Sequence, residues 1–233
     1  APNFPEGKLY DGYKNRWYQT EMISGIKVVR VKTYISPNQG VVRRSLDFLS
    51  FFVNALWAGI FQPKHDVVAA TSPQFFAAVA GKFVGVIRRT PFVMEVGDLW
   101  PVSFVGVGLM KQGFWLRFFQ VFELYLYRRS SKVIVLTKAF KKNLVSRGIS
   151  TAKINVVLNG ADLKRYSPIP KNDTLARDWG INDKFVVGYL GTHGMAHGLI
   201  NVLDAAEVLA PERQILFLFV GAGAERDKLI NVA

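Results

Sequence analysis

Apolar and polar positions change rhythm several times along the chain. The stretch GIKVVRVKTY alternates and predicts a strand over Ile26–Thr33. In VVRRSLDFLSFFVNALWAGIF the polar positions Arg43, Asp47, Ser50 and Asn54 recur at spacings of 4, 3 and 4. That spacing predicts a helix with one narrow polar stripe and apolar faces around it. From Asp66 short apolar runs alternate with helical patterns. DVVAAT, PFVMEV, KVIVLT and INVVLNG read as strands. TSPQFFAAVAGKFVGVI reads as a helix with Ser72 as N-cap and Pro73 at its first position. FWLRFFQVFELYLYRR reads as a helix with Arg117, Gln120 and Glu123 on its polar stripe. KAFKKNLVSRG reads as a helix capped by Thr137 and ended by Gly148. GDLWPVSFVGVGLMKQG reads as a long loop.

Strands alternating with helices predict an α/β fold, a parallel sheet with helices on both faces. The polar stretch Asp162–Lys184 breaks the rhythm and reads as a linker with one short helix around Leu175–Trp179. A second unit follows: strand FVVGYLG, a loop, helix LINVLDAAEVLA, strand ILFLFVG and a helix from about Ala224. Two strands do not make a stable domain. The chain is therefore expected to be a piece of something longer, with a first domain over 1–164, a linker over 165–184 and the start of a second domain over 185–233.

Composition narrows the chemistry. The 233 residues carry a net charge of +13, which points to an anionic partner (phosphorylated substrate, anionic lipid or nucleic acid) or to a solvated basic surface. Cysteine is absent, so disulfides, thiolate metal sites and cysteine catalysis are excluded. The absence also fits a reducing compartment. No run of about 18 uncharged apolar residues occurs to form a spanning helix.

In open parallel sheets ligands collect at the carboxyl ends of the strands. Two such ends in the second unit are glycine-rich. Gly191–Gly198 holds two of the chain's three histidines, His193 and His197, and opens a helix. Gly221–Glu225, reading GAGAE, opens another. Glycines let backbone N–H groups approach an anion, and a helix N-terminus adds about half a positive charge. Diphosphate binding follows, with His193 or His197 as a donor. Ordinary βα turns are the plainer alternative. Zinc is disfavoured because glycines surround the two histidines and no carboxylate lies close in the loop. In the first unit, EVGDLWP places Asp98 and Trp100 at a strand end, with Glu95 just before it. Asp98 is suited to position a hydroxyl, act as a base, or merely cap a loop. Trp100 is suited to stack on a sugar ring or to pack in a core. Asn159-Gly160 is a turn signal where the chain leaves the first unit.

Together, FVMEVGDLWP, VIVLTKAFKKNLVSRGI, INVVLNGADLKRYSP, FVVGYLGTHGMAHGL and FLFVGAGAERDKL resemble, in order and spacing, the retaining GT-B glycosyltransferases of family 4. NFPEGKLYDGYKNR and SPQFFAAVAG extend the likeness towards the bacterial branch that makes capsule, exopolysaccharide and O-antigen, of the N-acetyl-fucosaminyl and colanic-acid type. The resemblance implies two Rossmann-like domains facing a cleft. It implies a nucleotide-sugar donor, UDP-linked, held by the second domain, and an acceptor held by the first. It implies no cofactor and no metal, because loop amides, helix dipoles and basic side chains hold the leaving diphosphate. Carried over residue by residue, Gly191, Thr192, His193, His197 and Gly198 lie by the diphosphate, and Gly221 and Gly223 let the backbone approach the nucleoside. Asp98 positions acceptor or donor sugar, and Glu95, Trp100 and Asn159 line the acceptor side.

The sequence also departs from the family pattern. Thr192 and His197 stand where many relatives carry arginine and lysine, and Gly97 stands where close relatives read arginine. The family's first glycine-rich loop and its glutamate pair are not within these residues, so these residues alone are expected to be inactive. A non-catalytic binding subunit with the same fold is the alternative.

Such relatives use glycan or polyprenyl-diphosphate-linked acceptors. Val41–Phe61 and Phe114–Arg129 are aromatic-rich, with Arg43 and Arg44 beside one and Lys111, Arg117, Arg128 and Arg129 beside the other. Both suit an anionic membrane surface, and the resemblance implies a place in the bacterial cytoplasm, peripheral at the inner face of the membrane. Burial against the sheet is the competing explanation. Nucleic acid is not expected as a partner, since no motif for it is present and the aromatics lie in helices rather than on a sheet face.

Overall fold

The structure is a computed structural model that describes residues 7–36, 41–72, 74–99, 101 and 113–233, without the side chains at 41 and 44. Pro73, Trp100 and Lys111 lie outside the described residues. The chain divides into two compact units, residues 1–159 and 160–233.

The first unit opens with an antiparallel hairpin, β1 (Tyr18–Ile23) and β2 (Ile26–Val31). Its two-residue turn holds Ser24 at φ 49° and Gly25 at φ 80°. Two positive φ values are what a type I′ hairpin turn requires. The strand expected at Ile26–Thr33 is present as β2. Its partner β1 was signalled by the Ser-Gly pair after a β-prone run, and was not expected.

Helix α1 (Val41–Ile60) follows, with the polar stripe where the spacing put it. Past the exposed Arg43, the stripe turns onto the preceding backbone. Ser50 Oγ accepts from the Tyr34 amide at 2.7 Å, and Asn54 Nδ2 donates to the Lys32 carbonyl at 2.8 Å. The stripe thus fastens the backbone leaving β2. A second side of α1 packs on the next helix through Phe48 and Phe52.

The central sheet is parallel, in the order β3 (Val68–Ser72), β4 (Phe92–Val96), β5 (Lys132–Val135), β6 (Ile154–Val156). The intervening helices are α2 (Phe75–Ile87), α3 (Phe114–Arg129) and α4 (Lys138–Ser146). Alternate strand residues Phe92, Met94, Val96, Val133, Val135 and Ile154 form one core with Ala78, Leu126, Tyr127 and Leu144 of these helices. On the reverse face Thr71, Glu95 and Asn155 are exposed. The expectation of helices on both faces is therefore corrected: among the described residues, helices cover one. The reason is topological. Strands laid down in sequential order by right-handed crossovers put every connecting helix on the same side.

Two local expectations also change. Ser72 is not a cap but the last residue of β3. It pairs with Val96, and its carbonyl accepts from the Gly97 amide at 3.0 Å. The sheet ladder holds it extended, and Gln74 takes the N-cap position without a side-chain bond. Glu123 is not on a solvated stripe; it is 1% exposed. The Tyr127 hydroxyl donates to it at 2.6 Å, and Arg147 of the segment after α4 pairs with it. A carboxylate is buried only when its oxygens are satisfied in this way. Burial raises its pKa above the ordinary value, while the bonds from Tyr127 and Arg147 pull it back. Thr137 caps α4 as expected, accepting from the Phe140 amide at 3.0 Å, and Gly148 at φ 83° follows its end.

The second unit starts with α5 (Asp173–Asp178), capped by Asn172. It continues through β7 (Phe185–Leu190), α6 (Ile200–Val208), β8 (Ile215–Val220) and α7 (Arg226–Val232). β7 and β8 pair in parallel from Phe185↔Ile215 to Leu190↔Val220. Among the described residues no helix is long and apolar enough to cross a membrane.

Candidate functional site

The loops after β7 and β8 are joined main chain to main chain. The Gly191 amide donates to the Val220 carbonyl at 3.0 Å, and the His193 amide to the Ala222 carbonyl at 2.9 Å. The Glu225 amide returns a bond to the His193 carbonyl at 3.0 Å. The N–H groups of Thr192 and Gly194 stand outside this ladder. A Cβ on Gly221 would overlap the Gly191 carbonyl oxygen and lie 3.2 Å from His193 Nε2. A Cβ on Gly223 would overlap the His193 backbone. The glycines of GAGAE are thus required by the neighbouring loop, whatever ligand approaches them.

His193 is 5% exposed, and neither of its ring nitrogens has a hydrogen-bond partner. Buried polar atoms are nearly always paired, so an orphaned imidazole needs an explanation. Its ring lies 6.1 Å from that of Tyr189 and 6.4 Å from that of Phe219. His197 differs: it is exposed, in a single 3₁₀ turn over Met195–His197, with Nδ1 3.3 Å from the Gly194 carbonyl. Gly198, at φ 58°, turns the chain from there into α6. Tyr189 ties the loop together. Its hydroxyl donates to the Thr192 carbonyl at 2.9 Å, and its ring also lies 6.0 Å from His197. Among the described residues no trio of His, Asp or Glu gathers around these histidines.

In the first unit, Glu95 lies within β4 on the uncovered face, between Thr71 and Ile134 in register. Asp98 is exposed two residues beyond the strand, and Asn159 is exposed three residues beyond β6. All three belong to the carboxyl edge of the sheet.

A family model, Glycosyltransferase Family 4, matches residues 10–165. The chain belongs to that family. WcaI of Escherichia coli (strain K12), named as a colanic acid biosynthesis glycosyl transferase, is 22% identical over all of this chain and 58% of its own. A GDP-mannose-dependent alpha-mannosyltransferase of Mycobacterium tuberculosis (strain CDC 1551 / Oshkosh) is 24% identical over 88% of this chain and 50% of its own. The fold is the Rossmann-like GT-B type. The crystal structure of Anabaena Alr3699/HepE with UDP and glucose has a TM-score of 0.61 at 20% identity, over 83% of this chain and 48% of that one. A second HepE structure, with UDP-glucose, gives the same TM-score over 87% of this chain. The chain thus spans about half the length of the relatives it matches.

For this family 4 chain, Glu95, Asp98 and Asn159 fall inside the matched span, and the two glycine-rich loops fall beyond it. Tyr189 and Phe219 were not singled out from sequence. The available signal was the strand period: Val187 and Tyr189 share a face of β7, and the second of them meets the loop.

Proposed function

We propose that the protein acts as a glycosyltransferase, moving a hexosyl or N-acetylhexosaminyl unit from a UDP-linked donor to a surface polysaccharide or lipid-linked glycan. Anomeric configuration is retained in this reading. The observation that carries it is the buried His193, with both ring nitrogens unpartnered, in a loop that opens α6. An imidazole N–H donates to a phosphate oxygen, and the amides outside the loop ladder and the start of α6 favour the same anion. As the bond between sugar and diphosphate breaks, negative charge grows on the diphosphate. Donors fixed beforehand by Gly221, Gly223 and Tyr189 stabilise that charge without reorganising. No metal is required in this scheme. Asp98 positions a hydroxyl of acceptor or donor sugar, with Glu95 and Asn159 on the same sheet edge. The UDP complexes of HepE and the naming of WcaI support donor type and pathway class. The protein would work in the bacterial cytoplasm, at the inner face of the membrane.

The test is calorimetric titration of the full-length protein with UDP and GDP, with and without chelator. UDP binding should survive chelator. His193→Phe, which keeps a ring against Tyr189 and Phe219, should weaken it at least tenfold, as for a lost hydrogen bond to a charged group. His197→Ala should weaken it less. A well-folded full-length protein that ignores both nucleotides would sink the donor site. Binding abolished by chelator would overturn the metal-free reading. Nucleotide binding without donor turnover would favour a non-catalytic subunit, consistent with the Thr192 and Gly97 departures.

A further inference from the structure

The pairing of β7 with β8 runs on into the loops after them, and this fixes which way each loop peptide points. In an extended paired segment the N–H and C=O of one residue share a side, and those of the next residue take the other. The Gly191 and His193 amides donate to the Val220 and Ala222 carbonyls. The His193 carbonyl, which accepts from the Glu225 amide, points the same way. Residues 191 and 193 therefore make the inner edge of the loop, and Thr192 and Gly194 make its outer edge. A bare edge offers N–H and C=O groups together, so an anion loses to the second what it gains from the first. Here both carbonyls are occupied. The Tyr189 hydroxyl donates to the Thr192 carbonyl at 2.9 Å, and the His197 amide donates to the Gly194 carbonyl at 3.0 Å. The Thr192 and Gly194 amides have no partner among the described residues. The outer edge is left with donors alone, which is the condition for holding an anion on main chain.

Tyr189 reaches this carbonyl by crossing Gly191. A Cβ on Gly191 would lie 3.2 Å from the Tyr189 hydroxyl oxygen and 3.4 Å from its Cζ. The ring itself packs 6.1 Å from that of His193 and 6.3 Å from that of Phe219. A phenylalanine would serve that packing equally well; only the hydroxyl reaches the loop.

We propose that Tyr189 is a positioning residue for the donor's diphosphate. Its hydroxyl holds the Thr192 carbonyl, so that the Thr192 and Gly194 amides act on the phosphates alongside the His193 imidazole. Gly191 leaves room for that hydroxyl. The inference rests on the donor-site reading above and adds to it two amide contacts and the side chain that makes them selective for an anion.

The experiment uses the full-length protein with UDP and with uridine, which lacks the phosphates. Tyr189→Phe should lower UDP affinity about tenfold, as for one lost hydrogen bond at a charged group, and leave uridine affinity unchanged. Gly191→Ala should act likewise, and the two changes together should do no more than either, because both remove the same bond. In proton–nitrogen spectra of the wild type, UDP should move the Thr192 and Gly194 amide protons downfield and uridine should not. If Tyr189→Phe weakens UDP and uridine alike, the hydroxyl is merely structural and the proposal falls. It falls too if UDP binds and leaves the Thr192 and Gly194 resonances in place, a result that needs no variant to fold. Additive losses in the double variant overturn the shared role of Tyr189 and Gly191. UDP affinity undiminished by Tyr189→Phe but lowered by His193→Phe overturns the role of Tyr189 and leaves the donor site standing. A well-folded wild type that binds no UDP overturns both.

Discussion

At the scale of single residues the donor loops hang on the absence of side chains. Gly221 has φ 159°, a backbone conformation that residues with a side chain rarely adopt. Close approach adds to that demand: an added methyl would overlap the Gly191 carbonyl oxygen, a backbone atom that cannot rotate away. Gly221→Ala should push the two loops apart, break the bond from the Gly191 amide to Val220, and admit water to His193. We expect a loss of about 1–3 kcal/mol in chemical denaturation, in line with overpacking of a tight contact. UDP affinity should fall in the same variant. Gly188→Ala in β7 is the control, since a Cβ there meets only Leu190 Cδ1 at 3.5 Å. Equal behaviour of the two variants would show that the loops are not locked as described.

At the scale of elements, the buried group joining α3 to the end of α4 is the most exacting test. Glu123→Ala removes the partner of Arg147 and of the Tyr127 hydroxyl. Breaking a buried pair from one side costs about 3–5 kcal/mol, and the lower end applies because the Arg147 side chain is 20% exposed. The pH dependence has a definite sign. Burial raises Glu123 above its ordinary 4.5, so the folded state holds this proton more tightly than the unfolded chain does. Its stabilising share is full below pH 4.5 and declines as pH rises through the folded value. Denaturation midpoints of the wild type should therefore fall relative to Glu123→Gln over that interval; parallel profiles would sink the assignment. This element also shows the limit of sequence reading. Glu123 sits three residues from Gln120 on a helix, where the period alone makes it solvated, and nothing local announces Arg147. The strands of the two parallel sheets, α1, α3 and the Thr137 cap were legible because apolar runs are bounded by polar punctuation. The uncovered sheet face was not, because periodicity carries no information about which side each crossover takes. The same holds in the donor loops, where spacing revealed the glycines and left their contact with each other unseen.

At the scale of the molecule the two units differ in how much they bury. The first holds Met94, Val96, Val133 and Val135 at 1% exposure or less. The second holds two strands, with only Ala176, Leu199 and Leu229 as buried hydrophobics among its described residues. Local stability follows buried apolar contact. Amides of β4 and β5 should therefore exchange with deuterium far more slowly than those of β7 and β8 in the 233-residue chain. A ligand that binds only the closed form adds about 2.7 kcal/mol at a hundred times its dissociation constant. UDP at that level should slow exchange about a hundredfold in β7, β8 and the loops after them, if it binds where His193 lies. The effect should vanish for amides that already exchange from fraying at the chain ends. Protection gained instead around Asp98 and the end of β6, with β7 and β8 unchanged, would move the nucleotide to the first unit and leave the orphaned imidazole without its phosphate.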